Sequence, residues 1–97
     1  MTPRIRIDKW LWHARFAKTR ALAQEAATSG LIRLNNARVV KSSAEVGPGD
    51  ILTIPRRERV VVVRIEACGI RRGPAGEAGA LYSVLEEEGL DPGGARP

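Results

Sequence analysis

Little in this sequence is suited to covalent chemistry. Among 97 residues there is one cysteine, one histidine, one phenylalanine and one tyrosine, with two tryptophans completing the aromatics. A single Cys68 excludes an internal disulfide and a cysteine-based metal site, and its apolar neighbours Ala67 and Ile70 suit a buried structural thiol. With His13 as the only imidazole, no Ser/His/Asp or Cys/His nucleophile arrangement can be assembled, so no catalytic residue is expected. The longest strongly apolar run, Val60 to Val63, is far too short to cross a bilayer. The N-terminal segment has no uninterrupted apolar stretch ahead of a small-residue cleavage site. A cytoplasmic protein without metal or cofactor is the expectation.

Acidic residues are scarce in the first part of the chain, and this scarcity is the most informative one. From Arg4 to Lys41 nine cations (Arg4, Arg6, Lys9, Arg15, Lys18, Arg20, Arg33, Arg38 and Lys41) face only Asp8 and Glu25. That surplus of seven exceeds the +5 of the whole chain, so the remainder is acidic by two. An uneven field of this kind is aimed at a polyanionic partner. The chain's length allows one domain with a modest core, a better basis for a binder than for a deep catalytic cleft.

Apolar residues Ile7, Trp10, Leu11 and Ala14 recur at helical offsets, with Asp8 in the first turn where a carboxylate complements the helix dipole. A second helix is expected from the N-cap Thr19, with Leu22, Ala23, Ala26 and Ala27 as its apolar stripe and Gly30 as its stop. Only Phe16-Ala17-Lys18 separates the two, which forces a corner. Beyond Gly30 the period becomes alternating: Ile32 and Leu34 share one side, Leu31 and Arg33 the other. Asn35-Asn36 reads as a tight turn, a returning strand begins at Val39-Val40, and Gly47-Pro48-Gly49-Asp50 is a second turn. Strands follow at Ile51–Ile54 and Val60–Ile65, joined by the polar patch Pro55 to Arg59. After the loop Gly69 to Gly76, residues Ala78, Leu81, Tyr82 and Leu85 fall at helical spacing, which predicts a short C-terminal helix with Glu86-Glu87-Glu88 at its solvated end. The fold class is thus α+β, a two-helix corner packed on a small curled antiparallel sheet. A tail is expected over 91–97.

Lys18-Thr19-Arg20 occupies the entrance of the second helix, where unpaired backbone amides already favour anions, so a phosphate would fit there. Gln24 lies one turn above Arg20 on the same side, and Lys9, the Asn35-Asn36 turn and Lys41 can border this surface if the hairpin folds back.

The string RIDKWLWHARFAKTRALAQEAATSGLIRLNNARVVKSSAEVGPGDILTI resembles the αL RNA-binding motif, the domain named after small-subunit ribosomal protein four. The resemblance rests on the Arg6-Ile7-Asp8-Lys9 entry, Lys18-Thr19-Arg20, Gly30, the Ile32 to Asn35 strand end and Gly49-Asp50. The Trp10-Leu11-Trp12 helix and the segment Arg71 to Leu85 look most like the ribosome-associated fifteen-kilodalton heat-shock protein group. The likeness implies an RNA-binding unit over 1–66, with 67–90 packing on it. It also implies structured ribosomal RNA or tRNA as partner, on large subunits stalled with a nascent chain still joined to tRNA. Arg6, Lys9, Lys18, Thr19, Arg20, Gln24, Asn35 and Lys41 are then expected at the RNA face. DNA specificity and a membrane are not expected, and the free protein is expected to be a monomer. The usual Asn-Gly turn is Asn35-Asn36 here, which requires Asn36 at positive φ, and the basic C-terminal extension of longer relatives has no counterpart in these residues. Trp12, off the apolar stripe, is a stacking candidate that a small domain has more use for inside. Two rival readings are an amphipathic membrane-surface segment at RIDKWLWHARFAK and a protein-binding module that uses Val60 to Val63 and the acidic C-terminal segment.

Overall fold

The computed structural model describes residues 3–89, so the expected tail over 91–97 lies outside the described residues. The chain runs β1 (Ile5–Arg6), α1 (Ile7–His13), α2 (Arg20–Thr28), β2 (Arg33–Leu34), β3 (Ala37–Arg38), β4 (Glu45–Val46), β5 (Ile51–Arg56), β6 (Arg59–Ile65), α3 (Ala75–Ala78), a 3-10 turn Gly79–Leu81, and β7 (Tyr82–Gly89). Strands β3-β2-β5-β6-β7 form one antiparallel sheet, and β1 pairs separately with β4.

The helices form because their apolar residues fall on one side and their ends are capped. On α1, Ile7, Trp10, Leu11 and Ala14 are all buried. On α2 the Thr19 hydroxyl accepts a hydrogen bond from Leu22 N (3.0 Å), and Gly30, at φ +83°, turns the chain out of the helix. The buried face of α2 is Ala23 and Ala27, small enough for α1 to come close, while Leu22 is 46% exposed and leaves the expected stripe. Inward residues of the sheet, Leu52, Ile54, Val61, Val63 and Ile65, complete the core with Val46 and with Ile32 and Val39, which flank the β2–β3 hairpin. The Trp10 indole N–H donates to Ala67 O (2.9 Å), and its ring stacks on Phe16 and meets Tyr82 edge-on. The apolar face of the first helix is therefore inside, which removes the surface that the membrane reading needs. Trp12 is half-buried against the same core. Cys68 is half-buried, and burial, partly countered by Arg4, pushes its thiol up.

Three expectations are corrected by strand pairing. Asn35 and Asn36 both take positive φ (+55° and +98°), closing a two-residue hairpin turn, so β3 begins at Ala37, two residues ahead of Val39. The patch Pro55 to Arg59 is not a loop: β5 continues to Arg56 and pairs with β6 around an Arg57-Glu58 turn. Proline is tolerated at 55 because β2 faces β5 only at Leu52 and Thr53, so the missing N–H at Pro55 deprives no neighbour. The C-terminal helix exists but ends early. From Tyr82 the chain is strand, and Glu86, Glu87 and Glu88 lie opposite Val62, Val61 and Val60 instead of fanning around a helix end. The open edge of β6 offers a full ladder of hydrogen bonds, which outweighs the weak helical period of a glycine-interrupted segment.

Candidate functional site

The N-terminal end of α1 is organised around one carboxylate. The β1–β4 pairing brings Arg6 to the N-cap of α1 in an extended conformation, and Asp8 follows in the first turn with its side chain fully buried. Arg6 grips it with two N–H donors, Nε to Oδ1 at 3.1 Å and Nη2 to Oδ2 at 3.0 Å. Arg20, the first residue of α2, reaches the same Oδ2 at 3.4 Å. Burial pushes the Asp8 carboxyl up, but the Arg6 hydrogen bonds, the charges of Arg6 and Arg20, and Gln24 more than offset it, leaving the group below the ordinary carboxylate range. Arg6 is raised in turn, chiefly by its hydrogen bonds to Asp8.

Both arginines stay partly open to solvent, with 48% and 38% of their side chains exposed. One buried anion thus anchors two guanidiniums whose outer parts remain available, and the local balance is one positive charge in excess. Lys9 is exposed beside this group, and Lys18 and Thr19, both exposed, lead directly into Arg20. The Thr19 hydroxyl oxygen is engaged in the α2 cap, which leaves its proton free to donate. Lys41 is exposed and opens a turn (Ala44 N to Lys41 O, 3.2 Å) that docks on the start of α1 through Ile7 N to Ala44 O at 2.7 Å. The predicted residues other than Asn35 therefore gather around the α1 and α2 entrances.

Asn35 is held elsewhere. Its side-chain oxygen accepts from Ile51 N (2.8 Å), and its amide donates to Asp50 Oδ1 (3.2 Å). Asp50 also accepts from Gly47 N (2.9 Å) and pairs with Arg4 (3.3 Å). Asn35 and Asp50 together lock the β2–β3 turn to the β4–β5 turn, so the motif residues at these two positions have a structural use.

Two exposed cations outside the expected set stand on the β2–β3 hairpin. Arg33 and Arg38 stand directly opposite each other on β2 and β3, both exposed, neither with an ion pair among the described residues. Like charges in a cross-strand pair repel, and a bound anion would relieve that. The signal was available in the sequence: a two-residue turn at Asn35-Asn36 puts these positions face to face.

A family model for the S4 domain matches residues 5–52, the span from β1 into β5. Heat shock protein 15 of Escherichia coli (strain K12) is 41% identical over 83 residues, covering 86% of this chain and 62% of that protein. The RQC P-site tRNA stabilizing factor of Bacillus subtilis (strain 168) is 36% identical over 86 residues, covering 89% of this chain and 98% of that one. The chain belongs to the S4-domain family. Within it, the S4 domain here has the fold of the trimeric heat shock protein 15 structure from Vibrio cholerae, with a TM-score of 0.78, 34% identity, and 86% and 83% of the two chains covered. It spans about three-fifths of the length of the Escherichia coli relative. No helix among the described residues of this S4 protein is long and apolar enough to cross a membrane.

Proposed function

We propose that this chain is a non-enzymatic RNA-binding protein of the cytoplasm that recognises structured ribosomal RNA or tRNA on the large ribosomal subunit, in the handling of subunits stalled with nascent chain still attached to tRNA. The names of its relatives, heat shock protein 15 and RQC P-site tRNA stabilizing factor, support the setting. The observation that carries the reading is the buried Asp8 carboxylate holding Arg6 and Arg20 half-exposed at the mouth of α2. Fixed guanidiniums suit phosphate oxygens better than mobile ones, since less side-chain freedom is lost on binding. Lys9, Lys18 and Lys41 supply mobile charge around them, Thr19 and Gln24 supply hydrogen bonds, and Asn35 acts by shaping the hairpin that carries Arg33 and Arg38. Recognition is by backbone shape more than by base sequence. No cofactor takes part, and the free chain is a monomer.

Titration of a folded RNA by fluorescence anisotropy at several salt concentrations tests this. Arg20→Ala should weaken binding and lower the slope of log K against log salt by about one unit. An unchanged slope would remove Arg20 from the interface.

A further inference from the structure

A second basic site lies away from Asp8, at the tip of the β5–β6 hairpin. Phe16, just past α1, together with Pro55, Arg56, Arg57, Glu58 and Arg59, lines an open recess of about 590 Å³, within the range of roughly 300–1,000 Å³ typical of sites for small ligands. Its charge is only partly answered. Arg59 pairs with Glu87 at 3.0 Å, but the side chains of Arg56 and Arg57 make no ion pair or hydrogen bond among the described residues. Phe16 holds Arg56 in place, with the guanidinium carbon 5.2 Å from the ring centre.

Arg57 is the more telling residue. It occupies the turn at φ +50°, a left-handed conformation that glycine adopts freely and that costs a residue with a Cβ. The arginine strains the backbone there, and its side chain forms no ion pair or hydrogen bond among the described residues in return. An unpaired cation on a strained hairpin tip, beside an arginine stacked on an aromatic ring, has the makings of a nucleotide site: a flat group for a base, and a charge for the adjoining phosphate.

We propose that this recess binds one unpaired nucleotide of an RNA, its base stacking on Arg56 beside Pro55 and its phosphate meeting Arg57. The inference rests on the RNA-binding reading above and adds a contact to single-stranded RNA that the Asp8 surface does not make. The α1 helix separates the two sites, since Asp8 lies in its first turn and Phe16 beyond its end.

The test compares the full chain on a blunt RNA duplex and on the same duplex with a short single-stranded extension. The extension should tighten wild-type binding about fivefold or more. Arg56→Ala and Arg57→Gly should each remove most of that gain and leave duplex affinity within about twofold. Arg57→Gly should also raise the thermal midpoint by relieving the turn, so its loss of binding cannot be unfolding. Arg56→Lys keeps the charge without the plane and should lose as much as Arg56→Ala; retention of the gain in Arg56→Lys overturns the stacking role. Arg20→Ala should weaken both RNAs alike with the gain intact, so failure at Asp8 and failure at the hairpin tip are read separately. No gain from the extension in the wild type, or a gain that survives both hairpin substitutions, overturns the proposal.

Discussion

Asp8 shows how a single side chain can serve stability and binding together. A carboxylate buried without partners would take up a proton, but here two arginines and Gln24 keep it charged. Asp8→Asn keeps the shape and removes the charge, leaving Arg6 and Arg20 without their anchor. The expected cost is about 1–3 kcal/mol, measured by urea denaturation at pH 7. The sign with pH follows from the lowered carboxyl. Its contribution is fully present above the ordinary carboxylate range, near pH ~4, and is lost as pH falls through the lower folded-state value. The difference between wild type and Asp8→Asn should therefore shrink as pH falls from 7 towards 3. A difference that stayed constant would mean that the carboxylate charge contributes nothing. Asn36, at φ +98°, makes a complementary case: Asn36→Gly removes strain in the hairpin turn and should stabilise by about 0.5–1 kcal/mol, seen as a higher thermal midpoint. Asn35 was legible in the sequence as a motif residue, but its use was not, because a side chain bonded to Asp50 and Ile51 looks the same on paper as one aimed at RNA.

The elements that the sequence announces most clearly are those closed by local signals. The second helix is one: Thr19 caps it, Gly30 ends it, and Ala23 and Ala27 let it pack closely on α1. Thr19→Ala should cost about 1 kcal/mol, read from equilibrium denaturation, by leaving Leu22 N without its partner. An unchanged stability would mean that solvent replaces the cap at no cost. Strand β7 is the opposite case. Ala78, Leu81, Tyr82 and Leu85 have the period of a helix, yet Tyr82–Gly89 pairs with β6 along its whole length, with a register shift at Val62/Val63. Local spacing contains no information about the vacant edge that β6 presents. The same holds for β1 and β4, two-residue strands too short for any alternating pattern to reveal.

Charge acts over the full protein. Lys9, Lys18, Lys41, Arg33, Arg38, Arg56 and Arg57 form no ion pair among the described residues, whereas Arg4, Arg6, Arg20, Arg59, Arg64 and Arg71 do. If about six cations displace counterions from RNA, affinity should fall by a factor on the order of 10³ between 50 and 200 mM salt. Anisotropy titrations across that range check it, and a fall of only a few-fold would mean that one or two phosphates at most are touched.

Composition and spacing alone were enough to fix the α+β class, the helical corner, the two tight turns and the excess of positive charge near the start, because each follows from neighbours within a few residues of one another. Folding had to supply the rest. Which arginines are anchored and which stay unpaired depends on Arg6 and Arg20 meeting a buried Asp8, and the fate of the C-terminal segment depends on a strand some twenty residues earlier. These are contacts between distant parts of the chain, and their energy exists only once the core has brought them together.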